Sequence, residues 1–209
     1  MSPDPLVVEL AEDLRVRHGC HTVILYGSHA TGDARAGSDY DLAGFGTAQR
    51  TYRDARKWRG VYVDVFVHPE ARLLESAPDI LSLREGVVLF ERDGAGTRLL
   101  ARLEDVFRAG PERVADDEIV ARKVWAWKML ERAAHHDIEA DYRRAWLLMM
   151  LLEDCFAVRH LWYLGPKRSF RWLAANEPEV HAAFERALKP GAQLAEVERL
   201  VTMVVGPPP

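Results

Sequence analysis

The sequence predicts an α+β protein: a small mixed β-sheet domain with flanking helices over residues 1–110, then an all-α helical bundle over residues 111–209. Short apolar runs at 21–26, 39–45, 61–67 and 86–91, bounded by Gly, Pro and small polar residues, read as strands. The composition then shifts at Gly110-Pro111, and helical spacing replaces every strand signal beyond it. The 209 residues are 48% apolar and 29% charged, ordinary for a globular chain with room for one large domain or two small ones.

Each element has a local reason. Pro5 to Arg17 places Leu6, Val7, Leu10, Ala11 and Leu14 on one helical stripe, closed by His18-Gly19. The first strand covers about His21 to Tyr26 and ends in the turn Gly27-Ser28. Residues 31–38 are rich in Gly and small polar residues, as a phosphate-facing connection would be. The second strand runs from about Asp39 to Phe45. Residues 47–58 are polar and basic, and strand and loop stay undecided. One reading is a solvated edge strand. The other is that one or two of Arg50, Arg53, Arg56 and Arg59 face an acceptor or a triphosphate.

The third strand is Val61 to Val67, with its valines on one face and Tyr62, Asp64 and Phe66 on the other. Pro69 and Glu70 open a short helix through Ser76, and Gly86 to Glu91 is a compact apolar strand ending at Asp93-Gly94. Helices are expected over 116–136, 137–164, 169–176, 178–188 and 192–205. Asp116 or Asp117 is placed to cap the first, Leu164-Gly165-Pro166 ends the second, and Gly206 with its three prolines reads as a disordered tail.

The chemistry concentrates at one stretch. Val23-Ile-Leu-Tyr-Gly27-Ser28 is followed by ten residues and then Asp39-Tyr40-Asp41-Leu42. On a strand, Asp39 and Asp41 share a face while Tyr40 and Leu42 take the other. Two adjacent carboxylates repel each other unless a cation sits between them, and Mg²⁺ prefers such oxygen ligands. A glycine without Cβ lets a backbone N–H approach an anion, and a neighbouring hydroxyl can donate to the same anion.

Gly27-Ser28, ten residues and Asp39-Tyr40-Asp41 resemble the signature of the polymerase-β-like nucleotidyltransferases, most of all the minimal and aminoglycoside types. The resemblance covers roughly the first ninety residues, a single-domain segment. It implies a third carboxylate from a later strand, which Asp64 supplies. It also implies that Asp39, Asp41 and Asp64 hold Mg²⁺, that Gly27 and Ser28 grip nucleotide phosphates, and that an acid of the helical half acts as general base. Glu153, Asp154, Glu139 and Asp141 all qualify for that last role, and Glu153 is preferred. The competing reading of these acids is a structural ion pair with Arg143, Arg144, Arg159 or Lys167. Lys167 and Arg168 follow a Gly-Pro turn, either as nucleotide-binding cations or as an exposed loop. The tryptophans of the helical half are expected mostly in its core. An RNase reading would need Arg, then four to six residues, then His; His135, His136, His160 and His181 do not supply it.

Net charge is −4 and the pI is about 6.1, which disfavours a long nucleic-acid partner. Cys20 and Cys155 lie far apart without metal-ligand spacing and read as reduced thiols of a cytoplasmic protein. No signal peptide or membrane span is expected. The expected activity is Mg²⁺-dependent transfer of a nucleoside monophosphate from an NTP, ATP first, to a hydroxyl of a small molecule or protein. The alternative is an antitoxin-like or regulatory protein-binding module. The oligomeric state stays open, a homodimer included.

Overall fold

A computed structural model describes residues 4–75, 77–135 and 137–209. Ser76 and His136, where two expected helices end, lie outside the described residues. The chain folds as two compact units, Met1–Ala109 and Gly110–Pro209.

The first unit is a five-stranded mixed sheet in the order β3-β4-β2-β1-β5. Its strands are β1 (Cys20–Tyr26), β2 (Tyr40–Gly46), β3 (Tyr52–Trp58), β4 (Val61–Pro69) and β5 (Val87–Phe90). β2 and β4 are parallel, and the other neighbours are antiparallel. Helix α1 (Pro5–Arg17) starts where the Asp4 carboxylate accepts the Leu6 N–H at 2.9 Å, with Pro5 in the first turn. Its buried stripe Val7, Leu10, Ala11 and Leu14 packs on Val23, Leu25, Tyr40, Leu42 and the β4 valines. The period-2 alternation therefore sends Tyr40 and Leu42 into the core and leaves Asp41 on the other face.

That other face is partly covered by two 3₁₀ segments, Glu70–Leu74 and Pro78–Glu85, and by α3 (Ala95–Ala109). Leu73, Ile80, Leu81, Leu83, Leu99 and Leu103 are buried there. The sequence reading left 77–85 and 95–109 unassigned. Three small residues, Ala95, Gly96 and Thr97, open α3, and a clear apolar stripe with Leu99 and Leu103 follows them. The turn expected at Gly27-Ser28 is the start of a short helix, α2 (Gly27–Thr31).

Residues 52–58 settle the undecided stretch as an edge strand, paired on one side only. A two-residue hairpin joins it to β4, with Trp58 opposite Val61. Arg59 and Gly60 both have positive φ, 47° and 89°, as a type I′ turn requires.

The second unit is all-α: α4 (Asp116–Ala133), α5 (Ile138–Ala157), α6 (Pro166–Asn176), α7 (Pro178–Ala187) and α8 (Leu194–Val205). Leu147, Leu151, Cys155 and Phe156 of α5 share one buried cluster with residues of the other four helices. Asp137 caps α5 through the Ala140 N–H at 2.7 Å. Asp116 and Asp117 do not cap α4: Ala115 holds that position, and both acids sit in the first turn, where they complement the helix dipole. Helix α5 ends at Ala157, well before the expected Leu164. The Leu161 N–H returns to the Phe156 carbonyl and the His160 N–H to Ala157, with His160 at φ 54°. This is a Schellman motif with histidine where glycine is usual. Gly206 is not a loose tail; its N–H bonds to Thr202 and its carbonyl accepts the Trp127 indole N–H at 3.2 Å.

Candidate active site

The site begins with strand register. Tyr26 on β1 stands opposite Asp41 on β2, Asp41 opposite Asp64 on β4, and Asp64 opposite Ala55 on β3. Side chains opposite in register share a face, so Tyr26, Asp41 and Asp64 form a row across the sheet. Arg53, two residues from Ala55, lies on the same face and reaches diagonally to Asp64. Its Nε donates to Oδ1 and its Nη2 to Oδ2, each at 2.7 Å. The guanidinium also lies over the Phe66 ring, 5.6 Å from its centroid. Asp39 is exposed and precedes β2, so it belongs to the loop rather than to the strand expected to start there.

The Gly27 turn and Asp41 are matched in shape. Gly27 has φ +67°, and a Cβ built there would lie 2.2 Å from Asp41 Oδ2. No other residue type fits without moving that carboxylate. The glycine thus has a steric reason within the folded chain, beside the phosphate approach expected of it. Ser28 follows in α2 and is half-buried.

The electrostatics agree with the geometry. Burial pushes the Tyr26 phenol above its ordinary pKa, and Asp41 and Asp64 push it further; Arg53 opposes them and Asp39 adds a smaller upward push. Three carboxylates and one guanidinium therefore act on a single phenol. The hydrogen bond to Asp64 holds the Arg53 pKa above its ordinary value. Neither Tyr26 nor the pairing of Arg53 with Asp64 stood out in the sequence. Arg53 was one of several arginines, and only the hairpin register separates it from Arg56 and Arg59. Arg56 binds Asp13 and Asp54, and Arg59 binds Glu9.

The donor set suits a hard divalent cation: two carboxylates in register and a third at the loop end. A cationic group already sits against one of them. Both Asp64 oxygens are engaged by Arg53, and among the described residues no three or more His, Cys, Asp or Glu form a cluster that could hold a metal ion. The three expected ligands, two in register on the sheet and one in the loop before β2, are thus not assembled as a ready cage.

The remaining expected residues belong to the second unit. Glu153 is exposed on α5. Burial raises the Tyr163 pKa, and the Glu153 charge adds to it. Asp154 is a structural acid: its side chain is 2% exposed and accepts from Arg122 Nη1 at 2.6 Å. Burial raises its pKa even against that partner. Glu139 pairs with Arg143 one turn along. Lys167 is exposed in the first turn of α6. Trp125 and Trp172 pack on the core as expected, whereas Trp146 is exposed beside Tyr142.

No family model and no curated protein matches the chain. Among solved structures, it is similar to a nucleotidyltransferase-like protein from Exiguobacterium sibiricum 255-15. The identity is 12% and the TM-score 0.44, over 96% of this chain and 77% of that one. Values that low carry no chemistry from one protein to the other. Among the described residues, no helix is long and apolar enough to cross a membrane.

Proposed function

We propose that the chain is a nucleotidyltransferase of the polymerase-β-like kind, moving a nucleoside monophosphate from an NTP, ATP first, to a hydroxyl of a small molecule or protein. The supporting observation is the register of Asp41 with Asp64 beside the Gly27 turn, where a Cβ would meet the Asp41 carboxylate. In the reaction, the acceptor oxygen forms a bond to the α-phosphorus and the bond to pyrophosphate breaks. Gly27 and Ser28 hold the phosphates. Mg²⁺ held by Asp39, Asp41 and Asp64 would supply charge neutralisation for the triphosphate and the attacking oxygen. The rest of the task is orientation, which a rigid sheet does well. Two buried free thiols, both with pKa pushed up by burial to about 11, suit a reducing cytoplasm.

One observation favours a second reading, a regulatory or antitoxin-like module that keeps the fold: Asp64 already has its charge matched by Arg53. Calorimetric titration with MgATP separates the two. The enzyme reading expects binding that Asp39→Asn, Asp41→Asn and Asp64→Asn each weaken at least about tenfold, a loss of about 1.4 kcal/mol. The folded baseline should stay intact. Wild-type protein that ignores MgATP would leave the module.

A further inference from the structure

We infer that Arg53 is a built-in counter-cation of this site, a positioning residue that holds Asp64 until a divalent ion takes its place. The inference rests on the nucleotidyltransferase reading above. The pairing is specific in form. A planar fork meets both carboxylate oxygens at 2.7 Å, the geometry that distinguishes arginine from lysine. It is also specific in origin. The two-residue turn at Arg59-Gly60 fixes Ala55 opposite Asp64, which puts Arg53 on the diagonal.

The exposures of the two partners differ in a useful way. The Asp64 side chain is 17% exposed and that of Arg53 is 60% exposed. The carboxylate is fixed in the sheet while the guanidinium stands at the solvent side and leaves without opening a cavity. An exposed ion pair is weak, so a divalent ion competes for the same oxygens. Arg53 keeps the Phe66 face as a resting place, 5.6 Å away, and its five N–H donors then suit a phosphate. The resident cation also explains why the acids tolerate one another in the free protein. Arg56 and Arg59 cannot serve, since each is tied to acids outside this row.

The test is Mn²⁺ binding to the full chain, followed by electron paramagnetic resonance of the free ion. No nucleotide or acceptor is added. Wild-type protein should bind Mn²⁺, and Asp41→Asn should lose it. Arg53→Gln should bind about threefold to tenfold more tightly, because the competitor is gone. Arg59→Gln removes the same charge at the hairpin tip and should match wild type. Equal or weaker binding by Arg53→Gln, with wild type still binding through Asp41, would overturn the inference and spare the nucleotidyltransferase reading. A similar gain in Arg59→Gln would also overturn it, by showing general electrostatics. Absence of Mn²⁺ binding in every variant would overturn the inference together with the reading on which it rests.

Discussion

Gly27 and Asp41 come from different strand ends and occupy each other's space: a Cβ on Gly27 would lie 2.2 Å from Asp41 Oδ2. The glycine and the second acid of the signature are therefore one steric unit. Replacing either alters the other.

That coupling is measurable in a double-mutant cycle. Gly27→Ala should cost about 2–4 kcal/mol, part from the left-handed backbone and part from the clash. On an Asp41→Ala background the same change should cost only about 1–2 kcal/mol, since the backbone strain remains and the clash is gone. Chemical denaturation checks both values. Additive costs would mean that Asp41 simply swings aside.

His68 supplies a pH dependence. It is buried between Phe45 and Phe66, and its Nδ1 lies 2.9 Å from Thr51 Oγ1. Burial, with Arg72 adding to it, lowers its pKa from 6.5 to about 4. The unfolded chain thus takes up this proton first as pH falls. The contribution is complete above pH 6.5 and is lost between there and pH 4, at most about 3 kcal/mol. Denaturant midpoints measured from pH 7 to pH 4 should fall less steeply for His68→Gln than for wild type. Parallel curves would contradict the assignment.

The paired acids of α5 should part in behaviour. Arg122→Ala leaves Asp154 buried without its cation and should cost about 3 kcal/mol in the unfolding of the second unit. Glu153→Gln is an exposed change and should stay within about 0.5 kcal/mol of wild type. If Glu153 is the general base, the same variant lowers transfer about 10²–10⁴-fold while MgATP binding persists. Unimpaired transfer would move that role to Glu139 or Asp141.

Local periodicity made part of this site legible. Alternation alone put Asp41 and Asp64 on the face opposite the valines and Leu42, because the strand period is two whatever the neighbours are. The partners of those acids were not legible. Arg53 meets Asp64 only because the hairpin closes at Arg59-Gly60; shifted by one residue, β3 would have presented Arg56 instead. Helix α3 was legible in the chain: Leu99 and Leu103 recur at helical spacing on one stripe and both are buried. The end of α5 was misplaced because a histidine takes the left-handed position that glycine usually marks. Glu153 and Asp154 looked alike in the chain. The helix turned one into the core and the other to solvent.

The most direct test of the central claim uses ATP labelled at the α-phosphate, incubated with Mg²⁺ and a cell extract as the source of acceptors. Small-molecule and protein fractions are then counted. The account predicts label in one of these pools with wild-type protein, abolished by chelation of the metal and reduced by orders of magnitude in Asp41→Asn. Label in neither pool, or equal label from wild type and Asp41→Asn, would contradict it.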